Sequence, residues 1–274
     1  TVGRLAPADV VPDLDYRAGL ANPPPPMSGH SKWHNIKLKK GKVDAQRGAL
    51  FTKLSKELIL AAKGGSPDPE ANYRLKMAVE KARGFNMPQE NIKRAIARAS
   101  GQGGEREIEE IRYEGKGPHG LAVIVDAATD NRNRTAGEMR FLFTRHEGSL
   151  GESGGVAWMF DPVGMIELDP AGKSEDALME ETLVDGVEDI EYEEDFATIY
   201  TQPAMLAEVR DALRARNERI SDAYLGMRAK TKLELGGVEL SAALAFLEAL
   251  EEHEDAQRIF SNLDLSKVPL EALT

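Results

Sequence analysis

Apolar residues recur at helical spacing through the first folded part of the chain. Leu50, Leu54 and Leu58 lie four residues apart, and a Gly-Gly pair then ends the helix. A second helix is predicted in "YRLKMAVEKARG", and a third in "NMPQENIKRAIARASG", with Asn86 as its start signal and Pro88 in or near its first turn. The pattern therefore predicts a small helical domain over residues 46–100.

After the glycine-rich link "SGQGGE" the period of the pattern becomes that of β-strands. The runs "EEIRYEG" and "LAVIVDAAT" predict a hairpin joined by the turn "KGPHG". The segment "DNRNRTAGEMRFLFTRHEG" predicts a helix with Asp130 or Asn131 as its N-cap. Two more strands are predicted in "GGVAWMFD" and "GMIELD", on either side of a turn at Asp161-Pro162.

Residues 164–230 have the predicted order β-α-β-β-α-β, which is that of a ferredoxin-like domain. A helix at about 239–253 and the strand "AQRIFSNLDL" follow, and these last elements are expected to complete the sheet begun at 109–160. The predicted fold class is α+β in three domains: an N-terminal helical domain and two α/β domains, the last of them inserted in the middle one. The predicted divisions are 27–101 for the basic helical domain, 102–161 with 232–274 for the middle domain, and 162–231 for the insertion.

Residues 1–26 are expected to lie outside this fold. They show no periodicity and end in four prolines, which favour an extended conformation. Acidic residues outnumber basic ones there, unlike a transit peptide, and no apolar block typical of a secretory signal is present. We interpret Met27, directly after the prolines, as a natural start. The chain has no cysteine and no apolar run of membrane-spanning length, which fits the cytoplasm and predicts no membrane partner.

Charge is divided unevenly along the sequence. Residues 27–100 hold 16 lysines and arginines against 6 acids, whereas residues 101–274 hold 17 against 37. Such asymmetry favours a polyanion-binding region joined to an acidic body. The alternative is a merely solvated pair of basic helices. The acidic second half is expected to orient the molecule on its ligand or to bind protein partners.

Positive charge is densest in the segment 28–48, "SGHSKWHNIKLKKGKVDAQRG", which we call the basic arm. Lysine and arginine neutralise phosphates and release counterions, and an interleaved tryptophan can stack on a base or pin the arm to its own domain. No helix-turn-helix spacing is evident, so no base sequence is predicted. The residues of the arm predicted to contact nucleic acid are Lys32, Trp33, His34, Lys37, Lys39, Lys40, Lys42 and Arg47. Lys53, Arg94 and Arg98, on the helices behind the arm, are predicted to contact it as well.

Arg132 and Arg134 complete the predicted nucleic-acid site. Both lie in the first turn of a predicted helix, where cations are unfavourable towards the helix dipole. A bound anion at that N-terminus would explain them, and a solvated turn capped by Asp130 is the alternative.

Other groups of polar residues give weaker signals for chemistry. His30 and His34 have the spacing of a metal pair, but no acidic or histidine third ligand lies near them, so no metal is predicted. Residues 175–195 contain eleven acids and no base, which could hold Mg²⁺ but favour a solvated face because they are spread over several elements. No nucleophile, phosphate-loop or dinucleotide motif is found, so neither an enzyme nor a cofactor is predicted.

Taken together, several of these motifs resemble a known family. "GHSKWHNIKLKKGKVDAQRG", "NMPQENIKRAIARASG", "YEGKGPHG", "TDNRNRT", "GGVAWMF" and "IFSNLDL" resemble the YebC/PmpR (DUF28) family from Met27 to about Leu265. The sequence departs from the family pattern at His119, where glycine is usual, and at Arg228-Ala229, where an apolar residue and proline are usual.

The resemblance implies the three-domain fold predicted above and a non-enzymatic regulator of gene expression. Bacterial members of the family are mostly described as probable DNA-binding transcriptional regulators. A mitochondrial relative is a translational activator of cytochrome c oxidase subunit I, and some bacterial members act on the ribosome. The expected partner is therefore DNA, or alternatively ribosomal RNA. An enzyme acting on a phosphorylated small molecule remains a distant third.

Overall fold

The computed structural model describes residues 47–100, 106–193 and 196–265. The N-terminal extension and most of the basic arm lie outside this part of the chain. The helices are α1 (Arg47–Lys63), α2 (Tyr73–Gly84), α3 (Gln89–Ala99), α4 (Arg132–Arg145), α5 (Glu175–Thr182), α6 (Leu206–Ala215) and α7 (Gly237–Glu252). The strands are β1 (Glu109–Lys116), β2 (Ala122–Thr129), β3 (Ser149–Leu150), β4 (Phe160–Asp169), β5 (Val187–Glu193), β6 (Phe196–Thr201), β7 (Arg219–Ala229) and β8 (Ala256–Ser261).

The first three helices form the predicted helical region and bury their apolar faces against one another. Leu54, Leu58, Leu75 and Ile92 are each at most 1% exposed in this core. The predicted start of α3 was wrong. Asn86 has a φ of +57° and lies in the turn before the helix, while Pro88 occupies the N-cap position.

The first sheet has the strand order β3-β1-β2-β8. Its edge strand β8 pairs antiparallel with β2, so that Ile124 lies opposite Phe260. The prediction that the last elements complete the sheet begun near residue 109 is therefore confirmed. Helices α4 and α7 cover one face of this sheet, where Phe143 and Phe246 pack edge to face with ring centroids 4.9 Å apart.

The second sheet has the antiparallel order β5-β6-β4-β7, which is the predicted ferredoxin-like arrangement. Of the two strands predicted around Asp161-Pro162, "GMIELD" lies in β4, which runs through the proline without a turn. The other predicted strand, "GGVAWMFD", was wrong, because most of it is a turn and a short 3-10 helix at Ala157–Met159 and only its last two residues belong to β4. Pro162 lies near the start of β4, where the strand is paired on one side only: β7 places Met227 opposite it, whereas β6 pairs only with residues 164–168. Proline is tolerated at such a position near a strand end. The helices α5 and α6 cover one face of the sheet.

The uncovered faces of the two sheets pack against each other. Ala122, Ile124 and Phe260 from the first sheet share a buried apolar cluster with Met165 and Tyr224 from the second. The inserted unit is therefore docked through its own sheet face and does not hang from a linker. None of the described helices is long and apolar enough to cross a membrane.

Candidate nucleic-acid interface

Most of the predicted nucleic-acid site lies before the described residues. Lys32, Trp33, His34, Lys37, Lys39, Lys40 and Lys42 are outside them, and Arg47 is the first residue of α1. The contact of these residues with nucleic acid stays a prediction. The structure does locate the end of the arm, because its last two residues, Arg47 and Gly48, begin α1.

The outer face of α3 carries the cations predicted behind the arm. Ile92 and Ala95 point into the helical core, which turns Lys93 and Arg94 to solvent. Arg98 is half-buried and donates from Nη2 to the carbonyl of Arg106 at 3.2 Å. Of the two predicted residues on this helix, Arg94 is therefore the accessible one.

Lys53 and its neighbour Lys56 bind the end of another helix. Lys53 Nζ donates to the carbonyl of Glu251 in the last turn of α7. Lys56 Nζ donates to the carbonyl of Glu254, just beyond that helix, at 3.1 Å. Carbonyls at a helix C-terminus lack intrahelical partners and attract cations, so these lysines dock α1 onto the first sheet domain.

Arg134 likewise binds within the protein. Its Nη2 donates to both carboxylate oxygens of Asp255, at 3.2 and 2.9 Å. The same carboxylate accepts from Thr135 Oγ1 at 2.6 Å and forms an ion pair with Lys56. Asp255 is completely buried and thus joins α1, α4 and the start of β8.

The surroundings of Asp255 stabilise its ionised form. Burial alone would raise its pKa, but the hydrogen bonds from Lys56, Thr135 and Arg134 outweigh burial and lower the pKa to about 2. Removing any one cation would leave a buried negative charge incompletely paired. The arrangement therefore fits a structural role for Arg134, and its predicted contact with nucleic acid remains untested.

Glu138, His253 and Asp255 bring ligand atoms within 4.8 Å of one another, which raises the question of a metal site. The backbone N–H of Asp255 donates to His253 Nδ1 at 3.1 Å, so the ring proton lies on Nε2, 3.0 Å from Glu138. Both ring nitrogens are thus engaged, and Lys56 and Arg134 already neutralise Asp255. These residues fit an ion-pair network better than a cation site.

The first turn of α4 is capped as the sequence suggested. Of the two predicted caps it is Asn131 whose side chain accepts, from the Arg134 N–H at 3.2 Å. Arg132 is exposed and lies 3.6 Å from Glu109. Arg132 is therefore the more accessible of the two arginines predicted in this turn.

A second ionic cluster joins the three parts of the fold, and local patterns could not predict it because its members are far apart in the chain. Lys81 from α2 lies 2.7 Å from Asp222 on β7 and 3.4 Å from Glu57 on α1. Arg258 from β8 lies 3.1 Å from the same Asp222. Beside them, Tyr224 donates to Glu167 at 2.7 Å. We call these six residues the interdomain cluster.

Ionisation within the interdomain cluster is set by burial and by mutual pairing. Burial alone would raise the pKa of Asp222, but Lys81 and Arg258 lower it below its usual value. Burial and then the negative charge of Asp222 raise the pKa of Glu167 to about 7. The Oε2 atom of Glu167 is buried without a hydrogen-bond partner among the described residues. Glu167 is thus the one member whose protonation changes near neutral pH.

Two family profiles match most of the chain. The family profile described as "TACO1/YebC protein N-terminal domain" matches residues 31–102, and "TACO1/YebC second and third domain" matches residues 108–263. The chain belongs to the TACO1/YebC family. Its first matched region contains most of the basic arm and the helical core, and its second contains both sheets.

Curated relatives and a solved structure agree with this assignment. A "probable transcriptional regulatory protein" of Pelotomaculum thermopropionicum is 48% identical over 241 residues, covering 87% of this chain and 99% of the relative. A protein of the same description from Dictyoglomus turgidum is 43% identical and covers 90% and 100%. The crystal structure of a conserved hypothetical protein from Aquifex aeolicus has a TM-score of 0.77 and 42% identity, covering 81% of this chain and 92% of that one.

The two departures from the family pattern have structural explanations. His119 has a φ of +55°, in the left-handed region that favours glycine, so a glycine there would be under less strain. Arg228 stacks on Tyr200, with its guanidinium carbon 4.0 Å from the ring centroid, and pairs with Asp189. The charge introduced at this position is therefore partnered within the inserted domain.

Proposed function

We propose that this chain is a non-enzymatic, nucleic-acid-binding regulator of gene expression. The observation that carries the proposal is the concentration of basic residues at 27–100, 16 against 6 acids, in a chain that is otherwise acidic. The basic arm and the outer face of α3 would hold a phosphate backbone. The acidic body would orient the molecule, because it is repelled by the same polyanion.

Regulation of transcription through DNA is the first candidate. Relatives that share nearly their full length with this chain are named probable transcriptional regulatory proteins. Lys93 and Arg94 on α3 would then face the duplex.

A ribosome- or RNA-associated translation factor is the second candidate. The observation that favours it is an exposed aromatic side chain, Phe141, among arginines on α4. Such a side chain stacks on unpaired bases, which RNA offers in loops and bulges and duplex DNA does not.

Substitution of the arm tests the shared part of the proposal. We expect Lys37→Ala/Lys39→Ala/Lys40→Ala to weaken polyanion binding and to flatten its log-log salt dependence by about 2.7 on duplex DNA, or about 2.1 on a single strand, because each phosphate contact contributes about 0.9 or 0.7. The measurement is fluorescence anisotropy with labelled DNA and RNA between low and physiological salt.

The matched control removes the same charge from another part of the chain. Arg219, Lys230 and Lys232 are cations of the second sheet domain and the segment after it, and each lies near a carboxylate. Their triple alanine variant should leave the salt dependence nearly unchanged. Equal loss in both variants would mean that net charge, not the arm, determines binding, and the proposal would fail.

Sedimentation then separates the two candidates. DNase-treated lysate is run through a sucrose gradient with the wild type and the arm variant. Co-migration of only the wild type with ribosomal particles would favour the translational role. If both proteins stay at the top of the gradient, promoter DNA becomes the ligand to test.

A further inference from the structure

Helix α4 presents one face to the core and a second, polar and aromatic face to solvent. Thr135, Met139 and Phe143 are buried beneath it. The exposed residues form a continuous strip at helical spacing, because positions three and four apart are neighbours on a helix. We call this strip the α4 surface, and it consists of Gly137, Arg140, Phe141, Thr144 and Arg145.

The α4 surface is positively charged within an acidic part of the chain. Helix α4 contains four arginines and one glutamate, whereas residues 101–274 hold 17 basic residues against 37 acidic ones. That glutamate, Glu138, is engaged by His253 at 3.0 Å and lies 3.8 Å from Arg134. The helix therefore attracts anions where its surroundings repel them.

Two arginines of this surface are available for a ligand. Within residues 47–100, 106–193 and 196–265, neither Arg140 nor Arg145 has an ion pair or a side-chain hydrogen bond, in contrast to Arg134. Both are exposed, and Arg145 lies one helical turn after Phe141. Their guanidinium groups can thus contact a ligand that is stacked on the Phe141 ring from two sides.

Phe141 lies between these arginines and is 61% exposed. A single exposed apolar side chain needs no explanation by itself. Here, however, the core below is already filled by Phe143, which is fully buried against Phe246. The Phe141 ring therefore contributes little to folding and is free to stack on a planar partner.

Gly137 leaves the helix backbone bare beside the ring of Phe141. Glycine inside a helix lowers stability relative to alanine, and a Cβ at this position would meet no atom within 4 Å. Packing within the described chain therefore does not require glycine here. Because Gly137 has no side chain, a ligand can approach the helix backbone closely at this point, one turn before Phe141.

We propose that the α4 surface binds an unpaired nucleotide of RNA. The base stacks on Phe141, and Arg140 and Arg145 contact the flanking phosphates. RNA is the occupant because stacking needs a base outside a duplex, which cellular RNA supplies in its loops, and because the positive charge selects a polyanion. This contact rests on the RNA-binding candidate of the proposed function and deepens it, since it assigns part of the binding to a surface of the first sheet domain in addition to the basic arm.

The test uses the full chain carrying the Lys37/Lys39/Lys40→Ala substitutions, so that the arm contributes little to binding. A short labelled oligouridylate is titrated by fluorescence anisotropy at low salt. Phe141→Ala is expected to weaken binding about tenfold or more, because removal of a stacking aromatic typically has that effect. Arg140→Ala/Arg145→Ala should reduce the log-log salt slope by about 1.4.

Three variants separate stacking from a general effect on the fold. Phe141→Tyr retains a ring and should bind like the parent protein. Trp158 is 70% exposed on a different element, so Trp158→Ala is the matched loss of an exposed aromatic and should leave binding unchanged. Gly137→Leu should block the approach to the backbone while the thermal unfolding transition is retained.

Three results would overturn the inference. Binding that is unaffected by Phe141→Ala and by the double arginine variant would exclude the α4 surface. Equal affinity for a fully paired RNA duplex of the same length would exclude stacking on an unpaired base. No binding at all in the arm-substituted background would leave the proposed function of the arm intact and reject a second contact.

Discussion

Individual charged side chains in this protein owe their behaviour to partners that are distant in sequence. Asp255 is the clearest case, since it is buried and accepts from Lys56, Arg134 and Thr135. Its pKa of about 2 lies below the ordinary aspartate value of 3.8. Because the folded pKa is lowered, this carboxylate stabilises the fold above about pH 4, and that stabilisation is lost as the pH falls towards 2.

We therefore expect Asp255→Asn to lower the free energy of unfolding by about 2–3 kcal/mol at neutral pH, since two cations lose their buried partner. The variant should also lose part of the acid-induced destabilisation between pH 4 and pH 2. Urea unfolding at a series of pH values measures both effects. Asp169→Asn, which alters an exposed pair with Arg219 at 3.4 Å, is the control and should change stability by less than about 1 kcal/mol.

At the scale of elements, local sequence patterns predicted those helices, strands and turns whose formation depends on residues close together in the chain. The three helices of the first region, the hairpin β1–β2 and the order of the inserted sheet followed from periodicity and turn residues. The turn predicted at Asp161-Pro162 was wrong. A proline in the sequence does not show that β6 pairs only with residues 164–168, which leaves room for Pro162 inside β4. The contact of Lys53 with the Glu251 carbonyl could not be predicted from local patterns, because the two residues lie 198 positions apart, and the predicted contact of Lys53 with nucleic acid stays a prediction.

Helix α4 offers a test of local propensity that is independent of any ligand. Gly137→Ala should raise the free energy of unfolding by about 0.5–1 kcal/mol, because the added methyl group enters open space and alanine is the better helix former. The change is measured by urea unfolding. The contrasting variant is Gly115→Ala, where a Cβ would lie 2.4 Å from a Phe143 ring atom, and this variant should be strongly destabilised. Equal effects at the two positions would contradict the packing described for α4.

At the scale of the whole molecule, the interdomain cluster fixes how the three parts are held together. Lys81 and Arg258 face Asp222 and Glu57, so two cations balance two anions only when Glu167 is protonated. Ionisation of Glu167 adds an unbalanced negative charge to a buried site. The stability of the assembled fold should therefore depend on pH in the neutral range.

The sign of that dependence follows from the raised pKa of Glu167. Its folded value is about 7 against an ordinary value of 4.5, so the folded protein binds the extra proton between these values and stability falls as the pH rises from about 4.5 to 7. Glu167→Gln should remove most of this fall, which is on the order of 3 kcal/mol. Thermal unfolding between pH 5 and pH 8 measures the change. Glu188→Gln, at an exposed site, should retain the wild-type profile, and an unchanged profile in Glu167→Gln would refute the assignment.

The pairing of β2 with β8 also bears on the order in which the protein is made. Ile124 finds its partner Phe260 only after the entire ferredoxin-like unit, which ends near Ala229, has been synthesised. During translation the helical region and the inserted unit can therefore fold first, while one edge of β2 stays open and able to pair with other chains. The closing strand also brings Arg258 to Asp222, so a nascent chain that stops before Ala256 would lack both the sheet edge and the second cation.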